Sequence, residues 1–250
     1  MQPPPESRVL DAIPSQTPSP VKYLLPLALL AAALTAHAQD LTRELGAFTA
    51  LAVNSGIQAT VQQSDRHRVV LAGDAEALAA VEIEYEGASL SLSFEDGAYG
   101  RLSAAQRSSV RATVYTKALE RVVVNGGARV SSDVTWRTGF LRVVANGGGE
   151  LDLRVEASDG VKLVANGGAD VRLAGTTAEF SLNVNGGADV DASALDARRA
   201  EVMANGGAEA EVQAQERLKV MANGNSEVRY TGGVTDAEVR ANGGSSVRRG

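Results

Sequence analysis

The sequence contains no cysteine. That excludes a disulfide framework, a thiolate metal site, a cysteine nucleophile and the lipidated cysteine that anchors a bacterial lipoprotein. Aromatic residues are scarce, at 4%, and none recurs at a fixed spacing, so a row of sugar-stacking rings is excluded as well. Proline is missing after Pro26 and glycine is missing before Gly46. Two different kinds of polypeptide are therefore joined. The apolar run at Leu24–Ala36 falls short of the roughly 18–20 residues that cross a bilayer as a helix, so no transmembrane segment is expected in the mature chain. Acidic residues outnumber basic ones, 30 to 24, for a net charge of -6. That balance argues against a nucleic-acid partner, which needs a basic stripe to displace counterions.

What is present begins with an address. Lys22, the apolar run and the small-residue site Ala36-His37-Ala38 read as a secretory signal peptide over residues 21–38, cleaved between Ala38 and Gln39. Residues 1–20 are Pro-rich and polar, which is foreign to such a signal. The reading is an untranslated or disordered extension, with Val21 as an alternative start to Met1.

The rest is a repeat. Asn-Gly-Gly or a close variant places asparagine at Asn125, Asn146, Asn166, Asn185, Asn205, Asn223 and Asn242. A fixed period of 18 to 21 residues marks a solenoid, in which each unit stacks only on its neighbours. Five, three and one places before the asparagines are apolar in nearly every unit, as in Leu141, Val143 and Ala145, or Val161, Leu163 and Ala165, while the place four before is usually polar. That alternation reads as a half-buried strand, and a second strand follows the turn. Stacked β-hairpins would explain the Asn-Gly turn. They give no reason for asparagine to keep its place in every unit. Stacked coils of about 20 residues do, because asparagine tolerates the left-handed conformation and its amide can pair with the amides above and below. The expected fold is all-β, a parallel β-helix, with regular coils over 119–250 and irregular β coils over 39–118. In the latter, Leu51–Val61 fits as an early coil around Asn54, and Val81–Tyr85, Leu90–Phe94 and Val110–Tyr115 are read as strands. Asn54 and Asn125 are not separated by a whole number of periods, so an insertion or irregular coils are expected between them.

Phe48-Thr49-Ala50-Leu51 leading to Gly56-Ile57-Gln58-Ala59-Thr60-Val61, then Val69–Asp74, and Val110–Tyr115 with Leu119–Val122, resemble the bacterial head GIN domain family. Members of that family, a domain of unknown function, carry the name "putative auto-transporter adhesin". Gln58 stands where the family has asparagine. The resemblance implies a right-handed β-helix exported to the cell envelope, and it brings no catalytic residues with it.

Candidate chemistry is sparse. The outward place after each turn reads Arg129, Glu150, Asp170, Asp189, Glu209, Glu227. Carboxylates about 5 Å apart repel by something near 1 kcal/mol in water, which calcium could relieve. The competing and favoured reading is a solvated face offset by Arg142, Lys162, Arg172, Lys219 and Arg229. His67 lies between Arg66 and Arg68 and reads as a surface residue. Asp133, Asp152 and Asp191 lie at separate outward places with no carboxylate pair defined, and Trp136 reads as capping a core. The expectation is a non-catalytic, exported binding or structural surface without cofactor, periplasmic or at the cell surface, with an unknown envelope polymer or protein as partner. A polysaccharide-acting β-helix enzyme and a calcium-binding secreted solenoid are the alternatives. Cleavage of a polymer would mark the first, and a calcium-dependent rise in Tm the second. The repeat runs to Gly250, and no membrane barrel is expected in the chain. An unfinished last coil opens a route to self-association unless Arg248 and Arg249 block its edge.

Overall fold

The structure is a computed structural model that describes Lys22–Tyr23 and residues 41–250. The expected extension over 1–20, the signal peptide apart from Lys22–Tyr23, and the Ala38–Gln39 cleavage site lie outside the described residues. The described chain is a β-solenoid of stacked parallel coils. Five strands each run around most of a coil: β10 (Arg129–Asn146), β11 (Glu150–Gly167), β12 (Asp170–Gly186), β13 (Asp189–Asn205) and β14 (Glu209–Asn223). Three shorter strands, β15 (Glu227–Thr231), β16 (Asp236–Asn242) and β17 (Ser246–Arg249), complete the far end. Each pairs in parallel with its counterpart one coil away.

Alternation in sequence becomes a wall with two sides. Leu151, Leu153, Val155, Val161, Leu163 and Ala165 point inward and are at most 2% exposed. Intervening residues face solvent. Period-two side chains on a strand leave no other choice once one face is covered. The repeat length varies because bulges absorb the difference: register shifts fall between Ser131 and Thr135, between Ala157 and Val161, and between Ala192 and Asp196. The asparagines remain in register through all of them, Asn125 to Asn146 to Asn166 and onward.

The opening of the solenoid does not follow sequence order. Strands β3 (Ala50–Asn54) and β4 (Gln58–Gln63) form a coil that lies second from the end. On its upper side β3 pairs with β9 (Arg121–Asn125) and β4 with β10. On its lower side β3 pairs with β7 (Ser89–Phe94) and β4 with β8 (Arg111–Thr116). The 71 residues from Asn54 to Asn125 therefore descend to build the terminal layer and climb back, so that Asn54 and Asn125 sit in adjacent coils.

That terminal layer is closed by reversed strands. Here β5 (Arg68–Ala72) pairs antiparallel with β8, and β6 (Val81–Glu86) pairs antiparallel with β7. Strand β2 (Leu41–Glu44) lies antiparallel on β5, and β1 (Lys22–Tyr23) on β6. Three short helices join these strands: α1 (Ala75–Ala79), α2 (Ala98–Arg101) and α3 (Ala104–Ser109). Asp74 caps α1 by accepting from the Glu76 and Ala77 N–H groups, and Ser103 with Gln106 forms a capping box on α3. Ala77, Leu78, Ala98 and Leu102 are buried in the same apolar core as the coils. Among the described residues, no helix is long and apolar enough to cross a membrane.

Candidate functional site

The asparagines stand at the last or next-to-last place of the strands that lead into the turns, and their amides form one continuous chain. Each Nδ2 donates to the Oδ1 of the asparagine one coil earlier: Asn125 to Asn54 at 2.8 Å, Asn146 to Asn125 at 2.8 Å, Asn166 to Asn146 at 2.8 Å, and Asn185 to Asn166 at 2.9 Å. The series continues through Asn205 and Asn223 to Asn242, where the bond has lengthened to 3.2 Å. At its foot Asn54 donates to the Leu92 carbonyl of the terminal layer at 3.2 Å. One part of the physical reason expected from sequence needs correction. The left-handed conformation belongs to the following residues, such as Gly167 at φ 74° and Gly186 at φ 76°, and not to the asparagines. Asparagine is required here for its amide. In the earliest coil Ser55 takes the positive φ itself, at 65°.

The side that follows the turn carries the acidic column. Arg129, Glu150, Asp170, Asp189, Glu209 and Glu227 occupy the same place in successive coils. A second outward column runs beside it: Asp152, Arg172, Asp191, Glu211 and Arg229. Arginines pair with half of these acids. Arg129 pairs with Glu150, Arg172 with Asp170 at 3.3 Å, and Arg229 with both Glu211 and Glu227 at 2.9 Å. Among the described residues, no ion pair reaches Asp189 or Glu209. The Asp189 carboxyl is pushed above its ordinary pKa, first by burial against its neighbours and then by Asp170 and Glu209. From Asp170 and Arg172 onward, the two columns line a groove of about 200 Å³. Among the described residues, no three acidic or imidazole side chains converge as a cation would require. Strand spacing holds the carboxylates apart in a row while the neighbouring arginines occupy the space between columns.

The alternative catalytic residues are likewise placed in full. Asp152 and Asp191 share one column, with Arg172 in the coil between them. Asp133 lies apart, in the bulge between Ser131 and Thr135. Thus no two of the three face one another across a cleft. His67 is less exposed than its charged neighbours suggest: its ring packs edge-on against Phe48 at 5.7 Å, and Nδ1 lies 3.4 Å from Thr116 Oγ1. Trp136 is 1% exposed, and its Nε1 donates to Ser132 Oγ at 2.9 Å.

The side that precedes the turn carries a feature that the repeat template does not single out. Two places before the asparagines, facing outward, stand Val123, Val144, Val164, Asn183, Met203 and Met221 in one column. Met203 is 38% exposed, and so is Phe140 on the same side. Alongside, Arg121, Arg142 and Lys162 stack in successive coils. Among the described residues, none of these three cations has a carboxylate within ion-pair distance, and Arg142 lies 5.1 Å from the Phe140 ring centre. A signal was available in Val122-Val123-Val124 and Val143-Val144-Ala145. These runs are apolar throughout where a half-buried strand would alternate.

Comparison with known proteins agrees with this architecture. The family described as "Putative auto-transporter adhesin, head GIN domain" matches residues 47–233, and the chain belongs to that family. Curated protein sequences yield no match. Among solved structures, a putative adhesin from Bacteroides fragilis superposes with a TM-score of 0.75 at 18% identity, covering 84% of this chain and 97% of that one. A putative adhesin from Parabacteroides distasonis gives 0.61 at 19% identity, covering 86% and 97%. A putative lipid binding protein from the same organism gives 0.57 at 16% identity, covering 84% and 96%. At such identities the likeness is one of fold.

Proposed function

We propose that this member of the head GIN domain family is an exported, non-catalytic β-solenoid, and that the side preceding its turns is a binding surface of the bacterial cell envelope. The observation that carries the reading is the outward aliphatic column beside three unpaired cations. Water-facing valine and methionine gain free energy when covered, at roughly 25 cal/mol per Å². Unpaired cations add selectivity for acidic groups on whatever covers them. An envelope polymer or protein with both acidic and apolar groups fits that surface. The acidic side, with half of its acids already paired, reads as a solvated face. Export is supported by the sequence of residues 21–38 and by the adhesin name that the family carries.

Protease treatment of intact cells tests location. Loss of the protein from intact cells puts the solenoid outside, whereas protection until the outer membrane is broken puts it in the periplasm. Binding of the purified chain to isolated envelopes tests the surface. Val164→Glu combined with Met203→Glu should abolish that binding, while Glu150→Gln on the other side should leave it intact. Equal binding by all three proteins would sink the assignment.

A further inference from the structure

The two ends of the solenoid differ, and the exposed one has a pattern of its own. Among the described residues, strand β16 pairs with β14 on one side only, and β17 with β15 on one side only, so that one row of backbone groups on each is left without a strand partner. Among the described residues, no further layer lies above the inward places of β16. Val239 is 42% exposed, whereas Val220, its counterpart one coil below, is 0% exposed.

We propose that β16 pairs antiparallel with β16 of a second copy of this chain, about a twofold axis at Val239. The sequence Asp236-Ala-Glu-Val-Arg-Ala-Asn242 is complementary to its own reverse. Antiparallel pairing centred on Val239 sets Glu238 opposite Arg240 of the second copy, and Arg240 opposite its Glu238. On the inward face, Ala237 meets Ala241 and Val239 meets Val239, which continues the core across the junction. Residues directly opposite in an antiparallel pair share a face, so this one register joins the Arg240–Glu238 ion pair that each chain already holds at 2.9 Å into a four-charge cluster and matches the apolar places as well. A strand with like charges about its centre would repel its own copy. Strand β17 shows that case: it carries Arg248 and Arg249 and no acid of its own, with Arg248 reaching back to Glu227 at 3.9 Å and Arg249 donating to the Gly232 carbonyl at 2.9 Å. Growth stops at two. A contact about a twofold axis uses the same edge of both copies, so it is isologous and closes on itself.

Analytical ultracentrifugation of the full chain tests this. The wild type should form a concentration-dependent dimer. Glu238→Arg alone, and Arg240→Glu alone, should each weaken it about tenfold or more, since each places like charges opposite one another twice. The double reversal should restore it, because opposite charges then face one another again at both places. Circular dichroism should show all four chains equally folded. A second measurement uses the absence of cysteine: Val239→Cys should cross-link to a disulfide-bonded dimer under mild oxidation, with the two Cα atoms within the range a disulfide spans. A wild-type chain that stays monomeric overturns the proposal. So does a dimer indifferent to the single reversals, or one that Val239→Cys fails to cross-link.

Discussion

One end of this solenoid is covered and the other is bare, although both ends are built from the same kind of strand. At the covered end the chain departs from the repeat, reverses direction in β5 and β6, and adds helices whose apolar residues join the core. At the bare end the repeat simply continues to its last described coil. A parallel coil cannot cover its own end, because every layer presents the same unpaired edge to the next. Closure therefore needs a break in the pattern, and only the first 80 or so residues of the described chain supply one.

The largest test of that contrast uses two glycines that make the same contact in different places. A Cβ on Gly175, at φ 120°, would lie 1.9 Å from the Val155 carbonyl oxygen, and one on Gly232, at φ 104°, would lie 2.0 Å from that of Ala214. Gly175→Ala is held between coils on both sides and should cost about 3–6 kcal/mol from strain and overlap together. Gly232→Ala should cost less than half as much, since the last layers can shift away. Urea denaturation of both variants measures the difference. Equal losses would mean that the bare end is as rigid as the body.

Next in size is a pair of truncations. Leu92→Ala opens a cavity in the covered layer, where the side chain is 0% exposed, and should cost about 2–5 kcal/mol. Val239→Ala in the monomer should stay within about 0.5 kcal/mol. The amide ladder sharpens the comparison further. Asn166 both donates and accepts within the ladder, so Asn166→Ala should cost about 1–3 kcal/mol by stranding its neighbours' amides. Asn242 donates one 3.2 Å bond at the exposed end, so Asn242→Ala should cost about 0.5 kcal/mol or less. Equal small effects in thermal melts would show that the amides do not act as a ladder.

The smallest effect belongs to Asp189. Its carboxyl binds a proton more readily in the folded coil than in the unfolded chain, so the ionised group costs stability above its raised pKa. That cost is relieved as pH falls through the raised value. Asp189→Asn should therefore stabilise the protein at neutral pH by less than about 1 kcal/mol, screened further by salt, and the gain should fade in acid. A loss of stability at neutral pH would instead indicate that the carboxylate has a partner.

Much of the fold is legible because the repeat is physical as well as textual. Coils stack at equal places, so a column of asparagines or acids can be named by counting from one turn to the next. The strands at Val81–Glu86, Ser89–Phe94 and Arg111–Thr116 are legible too, from the alternation of their apolar residues. The order of the first layers is not. Nothing in the count from Asn54 to Asn125 tells that the chain goes down before it comes up, because that depends on which edge of β3 finds a partner first. The aliphatic column is hidden for a different reason. A run such as Arg121-Val-Val-Val-Asn125 contains both inward and outward valines, and composition alone cannot say which of them meet water.

Local constraints along the chain set the coil, its length and the residue at each turn, since period-two alternation and a glycine-borne positive φ must be met by any fold of these residues. Three features wait for the winding of the coils: the antiparallel closure of one end, the bare edge of the other, and the pairing of arginine with acid on one side while Arg121, Arg142 and Lys162 meet no carboxylate among the described residues on the other. Those depend on which strands lie side by side, and residues far apart in the chain become neighbours only when the coils are wound.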